Sequence, residues 1–149
     1  MKVLASAILF FMAMPTGKIY TKEYFDMGQL KAEGWLNDNA KTDYWFFYYE
    51  NGKTKEEGFY NVNQRNKYWK FYKVDGTKQM EGRFKSDLAY GWWVFYVNDK
   101  VEKKVEYSEG KKNGYSLYYT NGDILKVEKY KDDIKTGEWT DYATFKRDN

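Results

Sequence analysis

Carboxylates, lysines and tyrosines are the residues with which this 149-residue sequence could do chemistry, because it contains neither histidine nor cysteine. That composition excludes Ser–His–Asp and Cys–His catalysis, Cys/His zinc sites and disulfide bonds. Paired carboxylates could in principle hydrolyse a glycoside, and Glu33, Glu57 and Glu81 are the candidates. These glutamates recur every 24 residues, which favours cross-strand pairing with lysine over a unique active site. We therefore predict that the protein is not an enzyme.

Metal ions and nucleic acids are also poor matches to the sequence. Asp38, Asn39 and Asp43 lie close together but lack the spacing of a calcium-binding loop. The 25 Lys and Arg residues are nearly balanced by 22 Asp and Glu, which leaves a net charge of +3. A nucleic-acid-binding protein usually has a larger basic excess, gathered into a patch. We expect no cofactor, no metal site and no nucleic-acid partner.

The aromatic residues reveal an internal repeat. They make up 21% of the chain, and they recur at a fixed period, which is the mark of a repeat protein. Two series, aromatic at every position except Leu36, alternate along the chain, so that successive members are 11 or 12 residues apart. One series is Tyr24, Tyr48, Tyr72, Tyr96, Tyr119 and Tyr142, and the other is Leu36, Tyr60, Phe84, Tyr107 and Tyr130.

Each step of about 12 residues corresponds to one strand and one turn. Asn51-Gly52, Asp75-Gly76 and Asn121-Gly122 predict hairpin turns of the primed types, which require positive φ. The sequence thus predicts an all-β fold of tandem antiparallel hairpins, about 11 short strands in an elongated, twisted, single-layer sheet. At about 4.8 Å per strand, such a sheet is about 50 Å long. The predicted units are residues 18–42, 43–66, 67–90, 91–113 and 114–136, with a half-unit at 137–149.

Side-chain alternation distributes the aromatic rings over the two faces of the sheet. In the second strand of the unit, Gly34, Gly58 and Gly82 predict bare backbone on which a neighbouring ring can lie. One face is predicted to carry a column of Trp45, Trp69, Trp93 and Trp139, with Ser116 as the exception, beside a column of Phe47, Phe71, Phe95 and Tyr118. The other face is predicted to carry Tyr44, Tyr68, Trp92 and Tyr115 together with the Tyr48 series.

The N-terminal 17 residues differ from the repeats. Lys2 precedes an apolar run from Val3 to Met14, which is too short to span a bilayer. The charge, the apolar run and the small residues after it are typical of a signal peptide. We predict a signal peptide at 1–17 and export to the periplasm, the outer membrane or the cell exterior. An apolar segment packed on the domain, in a cytoplasmic protein, is the alternative.

The repeat unit resembles the MORN repeat, specifically its bacterial variant. Gly91-Trp92-Trp93-Val94-Phe95-Tyr96 resembles the opening of that unit, Asn51-Gly52 its turn, and Glu57-Gly58-Phe59-Tyr60 its second strand. Asp43 and Lys67 depart from the pattern, because they stand where the family has glycine. The resemblance covers residues 18–142. It implies a single-layer array of hairpins and a scaffold, protein-binding or membrane-associated role, and bacterial members are often labelled antitoxin-like.

The predicted function is a non-catalytic scaffold or protein-binding module in a bacterial envelope complex. The alternatives are an antitoxin-like partner protein, glycan or cell-wall binding through aromatic strips, and membrane-surface binding through basic turns that contain Lys41, Arg65 and Lys112. The sequence leaves open the oligomeric state and whether the sheet edges pair with another chain. The candidate binding surface comprises Tyr44, Tyr48, Tyr68, Tyr72, Trp92, Phe95, Tyr96, Tyr115, Tyr118 and Tyr119.

Overall fold

The computed structural model describes residues 17–148, and most of the predicted signal peptide falls outside them. The described chain forms one open sheet of eleven strands, each antiparallel to the next in chain order. This confirms the predicted all-β hairpin array. The strands are β1 (Lys18–Tyr24), β2 (Leu30–Asn37), β3 (Ala40–Tyr48), β4 (Thr54–Asn61), β5 (Gln64–Tyr72), β6 (Lys78–Lys85), β7 (Leu88–Val97), β8 (Lys100–Ser108), β9 (Lys111–Thr120), β10 (Asp123–Lys131) and β11 (Ile134–Trp139).

A short helix, α1 (Tyr142–Asp148), follows β11, where the sequence predicted no helix. The Asp141 carboxylate caps its first turn by accepting hydrogen bonds from the Thr144 backbone N–H at 2.8 Å and the Thr144 hydroxyl at 2.7 Å. Within residues 17–148, no helix has the length and apolar character needed to cross a bilayer.

The turns inside the units are of two kinds. In the first three units, five-residue loops join the strands, as at residues 49–53. There the Gly52 N–H donates to the Tyr49 carbonyl at 2.9 Å, and only the glycine has positive φ. This is the type I turn with a left-handed glycine, so the primed turns predicted at Asn51-Gly52 and Asp75-Gly76 are wrong. In the last two units, Asn98-Asp99 and Asn121-Gly122 have positive φ at both positions, as predicted for the latter pair.

The turns between units are joined to one another along one rim of the sheet. The Asn63 side chain accepts a hydrogen bond from the Lys41 N–H at 2.7 Å, while the Asn63 N–H donates to the Lys41 carbonyl at 3.0 Å. Asp87 repeats the same pair of bonds with Arg65, one unit further along the chain. Each of these turns therefore satisfies backbone groups beside the preceding inter-unit turn, which keeps successive units in register.

One face of the sheet, here called the tryptophan face, holds the core. Trp45 and Trp69 are completely buried and Trp93 nearly so. The Trp69 ring stacks on Phe47 of the preceding unit and on Phe71 of its own, with centroids 6.4 and 6.1 Å apart. Rings from the intervening strands meet these tryptophans edge-on, in the geometry that aromatic quadrupoles favour. The core is therefore a continuous row of rings on a single sheet.

Each buried tryptophan depends on a glycine in the preceding strand. A Cβ atom on Gly34, Gly58 or Gly82 would lie under 3.0 Å from the indole of the tryptophan that covers it, so no larger residue fits without movement. This confirms the predicted packing of rings over bare backbone. Ser116, which replaces a tryptophan, pairs with Val105, which replaces the glycine. The lost ring and the added side chain thus occur together.

Trp139 does not share the column of the other tryptophans, so that prediction is wrong. The strand before it has Glu128 at the glycine position, and this side chain occupies the space that an indole would need. The register between β10 and β11 differs by one residue from that of the equivalent strand pair β4 and β5. Trp139 therefore pairs with Val127 instead of Glu128. A slip of one residue moves a side chain to the opposite face. Trp139 accordingly lies on the other face, beside Phe145 of α1, with ring centroids 5.5 Å apart.

Candidate functional site

The face opposite the tryptophan face carries most of the candidate binding residues and is here called the tyrosine face. Cross-strand pairing places two of the candidate residues, Phe95 and Tyr118, on the tryptophan face, as side-chain alternation predicted. Phe95 packs against the core cluster there, and the Tyr118 hydroxyl donates to Glu128 at 2.7 Å. The structure brings the other eight together on the tyrosine face: Tyr44, Tyr48, Tyr68, Tyr72, Trp92, Tyr96, Tyr115 and Tyr119.

Part of the tyrosine face is an exposed row of rings. Tyr68 is 40% exposed and Trp92 42%, whereas the tryptophans of the opposite face are at most 5% exposed. Tyr20 and Trp35 extend the row to the first unit, where they meet edge-on at 5.2 Å. We missed these two in the sequence, although Tyr20 lies 24 residues before Tyr44, at the repeat period. The aromatic strip is defined as Tyr20, Trp35, Tyr44, Phe59, Tyr68 and Trp92.

Beside the aromatic strip, tyrosine hydroxyls donate to a row of carboxylates. Tyr48 donates to Glu33 at 2.7 Å, and Tyr72 donates to Glu57 at 2.7 Å. Tyr96 and Glu81 repeat this bond at 2.5 Å in the next unit. Glu33 and Glu57 also form the predicted cross-strand ion pairs, with Lys22 and Lys70, whereas Glu81 pairs with Lys78 of its own strand. The charges are thus balanced within the face, and the network holds the tyrosine rings in fixed positions.

These tyrosines should ionise only in strong base. Burial, the Coulombic effect of Glu57 and a hydrogen bond to it raise the pKa of Tyr44 to about 12. Burial and hydrogen bonds to glutamate likewise raise the pKa of Tyr48, Tyr72 and Tyr96. Because the folded state holds these phenolic protons more tightly than the unfolded state, it gains stability from them. This contribution to the free energy of unfolding is complete below the unfolded pKa of about 10 and declines as the pH rises above it. In an ultraviolet absorbance titration, we expect these four phenols to stay protonated at about pH 11.

The Tyr72→Phe variant is the control for this titration, because it removes one of the late-titrating groups and should leave the others unchanged. Titration of every tyrosine near pH 10 in a protein that retains its sheet by circular dichroism would contradict the prediction.

Three basic side chains in or near the inter-unit turns lie over aromatic rings. Lys41 lies 4.6 Å from the ring centre of Trp45 and Arg65 lies 4.8 Å from that of Trp69, both on the tryptophan face. Lys67 turns to the tyrosine face, 4.6 Å from the ring centre of Phe59. Arg65 also donates to both carboxylate oxygens of Glu56 at 3.0 Å. These cations therefore cover aromatic rings rather than projecting together from one edge.

The tyrosine face changes in character toward its C-terminal end. At the position of Glu33, Glu57 and Glu81, the fourth unit has Lys104 and the fifth has Val127. Val127 pairs with Leu117, and Trp139 and α1 lie beside them. The surface is therefore polar with aromatic rings over the first three units and apolar at the fifth.

Within residues 17–148, no group of three or more Asp and Glu side chains is arranged to hold a metal ion. Comparison with known proteins found no family model that matches the chain and no matching curated protein. What this surface could bind must therefore be argued from its own geometry.

Proposed function

We propose that this protein is a non-catalytic hairpin-repeat scaffold of the MORN type whose tyrosine face binds a protein partner. The observation that supports the proposal is the asymmetry of the sheet. One face buries its tryptophans completely, whereas the other leaves Tyr20, Trp35, Tyr68 and Trp92 between 38 and 44% exposed. Grouped exposed rings of this kind mark interaction surfaces in soluble proteins.

The chemistry of the aromatic strip fits a protein partner. Tyrosine and tryptophan dominate the binding energy of protein interfaces, because they bury a large area and also offer a polar atom. Beside the strip, hydrogen bonds such as that from Tyr72 to Glu57 fix the neighbouring tyrosine rings before binding. A surface that is already ordered loses less entropy when the complex forms.

The proposed setting is the cell envelope. This part of the proposal comes from residues 1–17, where a charge, an apolar run and small residues resemble a signal peptide. A repeat sheet without cysteine needs no disulfide in an oxidising compartment, so its fold is compatible with export.

The test is site-specific crosslinking followed by affinity measurement. A photoreactive amino acid at Tyr68 in the full-length protein should crosslink a discrete protein in source cells, and the same residue at Val74, an exposed turn position, should not. Once that partner is purified, the Tyr68→Ala/Trp92→Ala variant should bind it about 100-fold more weakly, as expected for central aromatic contacts.

The matched control is Val62→Ala/Val74→Ala, which removes exposed apolar side chains outside the aromatic strip. It should leave affinity for the partner unchanged. Equal crosslinking at Tyr68 and Val74, or equal losses of affinity in the two double variants, would contradict the proposal. Crosslinking of Tyr68 to polysaccharide or lipid would favour the glycan or membrane alternative instead.

A further inference from the structure

We propose that a cavity between the fourth and fifth units is a binding site for a small soluble phosphate monoester. This proposal is independent of the protein partner proposed for the aromatic strip. The cavity has a volume of about 450 Å³ and is lined by Lys100, Val101, Lys104, Tyr119, Asn121 and Gly122. Cavities of about 300–1,000 Å³ are typical of small-molecule sites.

The cavity is open because the turns inside these two units are not joined to each other. In the second and third units the corresponding turns are joined, since the Tyr49 hydroxyl donates to the Tyr72 carbonyl at 2.8 Å. Within residues 17–148, no hydrogen bond links the turn at 98–99 to the turn at 121–122. Val97 stands at the position of Tyr49 and has no side-chain donor, so the space between the two short turns stays unfilled.

The charge of the cavity comes from a lysine at a position where the first three units have glutamate. In those units a tyrosine hydroxyl donates to the glutamate 15 residues before it, as Tyr72 does to Glu57. The same spacing places Lys104 before Tyr119, and the Lys104 ammonium group lies 5.6 Å from the centre of the Tyr119 ring. Among residues 17–148, the Tyr119 hydroxyl therefore has no hydrogen-bond partner and can donate to a ligand.

Both lysines of the cavity keep their charge available. Neither Lys100 nor Lys104 forms an ion pair with a carboxylate of residues 17–148. The cross-strand neighbours of Lys104 are Val94 and Leu117, which are uncharged. The ring of Tyr119 contacts the Lys104 ammonium group but does not neutralise it. Two uncompensated cations thus face one cavity.

Acidic side chains near these turns lie outside the cavity, whose lining contains no Asp or Glu. Asp99 accepts a hydrogen bond from the Lys78 backbone N–H at 3.3 Å, toward the third unit. Glu102 and Asp123 are exposed. All three carboxylates stay charged, but solvent and salt weaken their effect on a ligand, whereas the two ammonium groups line the cavity itself. The groups that a bound ligand contacts are therefore positive or neutral.

The donors of the cavity match a phosphate group better than a carboxylate. A phosphate monoester carries a charge of about −1.5 to −2 at pH 7 and offers three strong acceptor oxygens, and lysine binds it as a point charge. Lys100 and Lys104 supply two positive charges, and the Tyr119 hydroxyl and the Asn121 amide add neutral donors. The rest of the cavity has room for the small organic group of the ester.

The experiment titrates the full-length protein with three probes that share a three-carbon backbone: glycerol 3-phosphate, glycerate and glycerol. Calorimetry at constant ionic strength measures affinity and stoichiometry, and the backbone amide resonances of Lys104, Tyr119 and Gly122 report the site. We expect glycerol 3-phosphate to bind saturably at one site, at least tenfold more tightly than glycerate, and glycerol not to bind. The three resonances should shift in proportion to occupancy.

The Lys104→Glu variant locates the site, because it introduces the residue that the first three units already have at this position. It should fold and weaken the binding of glycerol 3-phosphate at least tenfold. Lys85→Glu makes the same change of charge at an exposed position of β6 and should leave binding unchanged. Lys100→Gln should weaken binding several-fold. If Lys104→Glu does not fold, Lys104→Gln takes its place.

The proposal would be overturned by any of four results. Glycerol 3-phosphate that does not saturate shows that the cavity is not a ligand site. Glycerate that binds as tightly shows that the cavity does not select phosphate. Equal losses in Lys104→Glu and Lys85→Glu show that only the net charge of the protein matters. Flotation with phosphatidate vesicles, when glycerol 3-phosphate does not bind, shows that the protein recognises a lipid surface and not a soluble ester.

Discussion

The Gly58→Val variant is expected to lose about 3 kcal/mol or more of unfolding free energy, because the new side chain would collide with a buried indole. Even a Cβ atom alone would lie under 3.0 Å from Trp69, whose side chain is completely buried. The indole cannot simply move aside, since Phe47 and Phe71 stack against it. Urea unfolding followed by far-ultraviolet circular dichroism measures the loss, and Lys55→Val at an exposed position of the same strand should change stability by less than about 0.5 kcal/mol.

The double variant Gly58→Val/Trp69→Ser tests the cause of that loss. The protein already contains this combination as Val105 and Ser116, which pair across β8 and β9. Trp69→Ser alone should cost about 4 kcal/mol through the cavity it leaves. With both changes, valine occupies part of that cavity, so the total cost should be smaller than the sum of the single costs by about 2 kcal/mol. Additive single effects would show that the tryptophan and the glycine are not coupled.

Replacement of Glu128 by glutamine is expected to lower the free energy of unfolding by about 3 kcal/mol at pH 7. Although burial alone would raise the pKa of this carboxyl, hydrogen bonds from Lys126, Tyr118 and Tyr130 lower it to about 2 from an ordinary value of 4.5. These bonds are 2.7 to 2.8 Å long, and the residue is only 4% exposed. The folded protein therefore stabilises the charged form.

The pH dependence of this loss follows from the direction of the shift. A lowered pKa gives stabilisation that is complete above 4.5 and declines as the pH falls toward 2. The difference between the wild type and Glu128→Gln in urea unfolding should fall from about 3 kcal/mol at pH 7 to about 1.5 at pH 3. Glu102→Gln, at an exposed position, is the control. A difference that stays constant with pH would show that Glu128 acts only through packing.

The sequence predicted the strands well because their signal is local and repeated. The first ten members of the 11- or 12-residue series lie in β1 to β10, one in each strand, whereas the last, Tyr142, lies in α1. Turn geometry was less predictable. Asn51-Gly52 and Asn121-Gly122 are the same dipeptide, yet only the second forms a primed turn. The length of the connection inside the unit decides between them. In the last two full units, the step from one member of the repeat series to the next across this turn is one residue shorter than in the first three.

The candidate surface was partly predictable for the same reason. Alternation along a strand correctly separates Tyr44 from Trp45, but it does not say which face will be exposed. The glycines decide that, since they let Trp45 and Trp69 lie against the backbone of one face. Tyr68, with Arg83 rather than glycine opposite it, stays 40% exposed. Exposure thus depends on pairs of residues in different strands.

The sequence by itself determined a sheet of hairpin repeats and the contact between each buried tryptophan and its glycine, because both follow from one local period. Only the tertiary structure decided the face on which Trp139 lies. Trp139 lies as many residues after its preceding turn as Trp69 does. However, Glu128 fills the place of the glycine, and the register shifts by one residue. Cross-strand sterics therefore override the local pattern there, and the contact between Trp139 and Phe145 of α1 is their consequence.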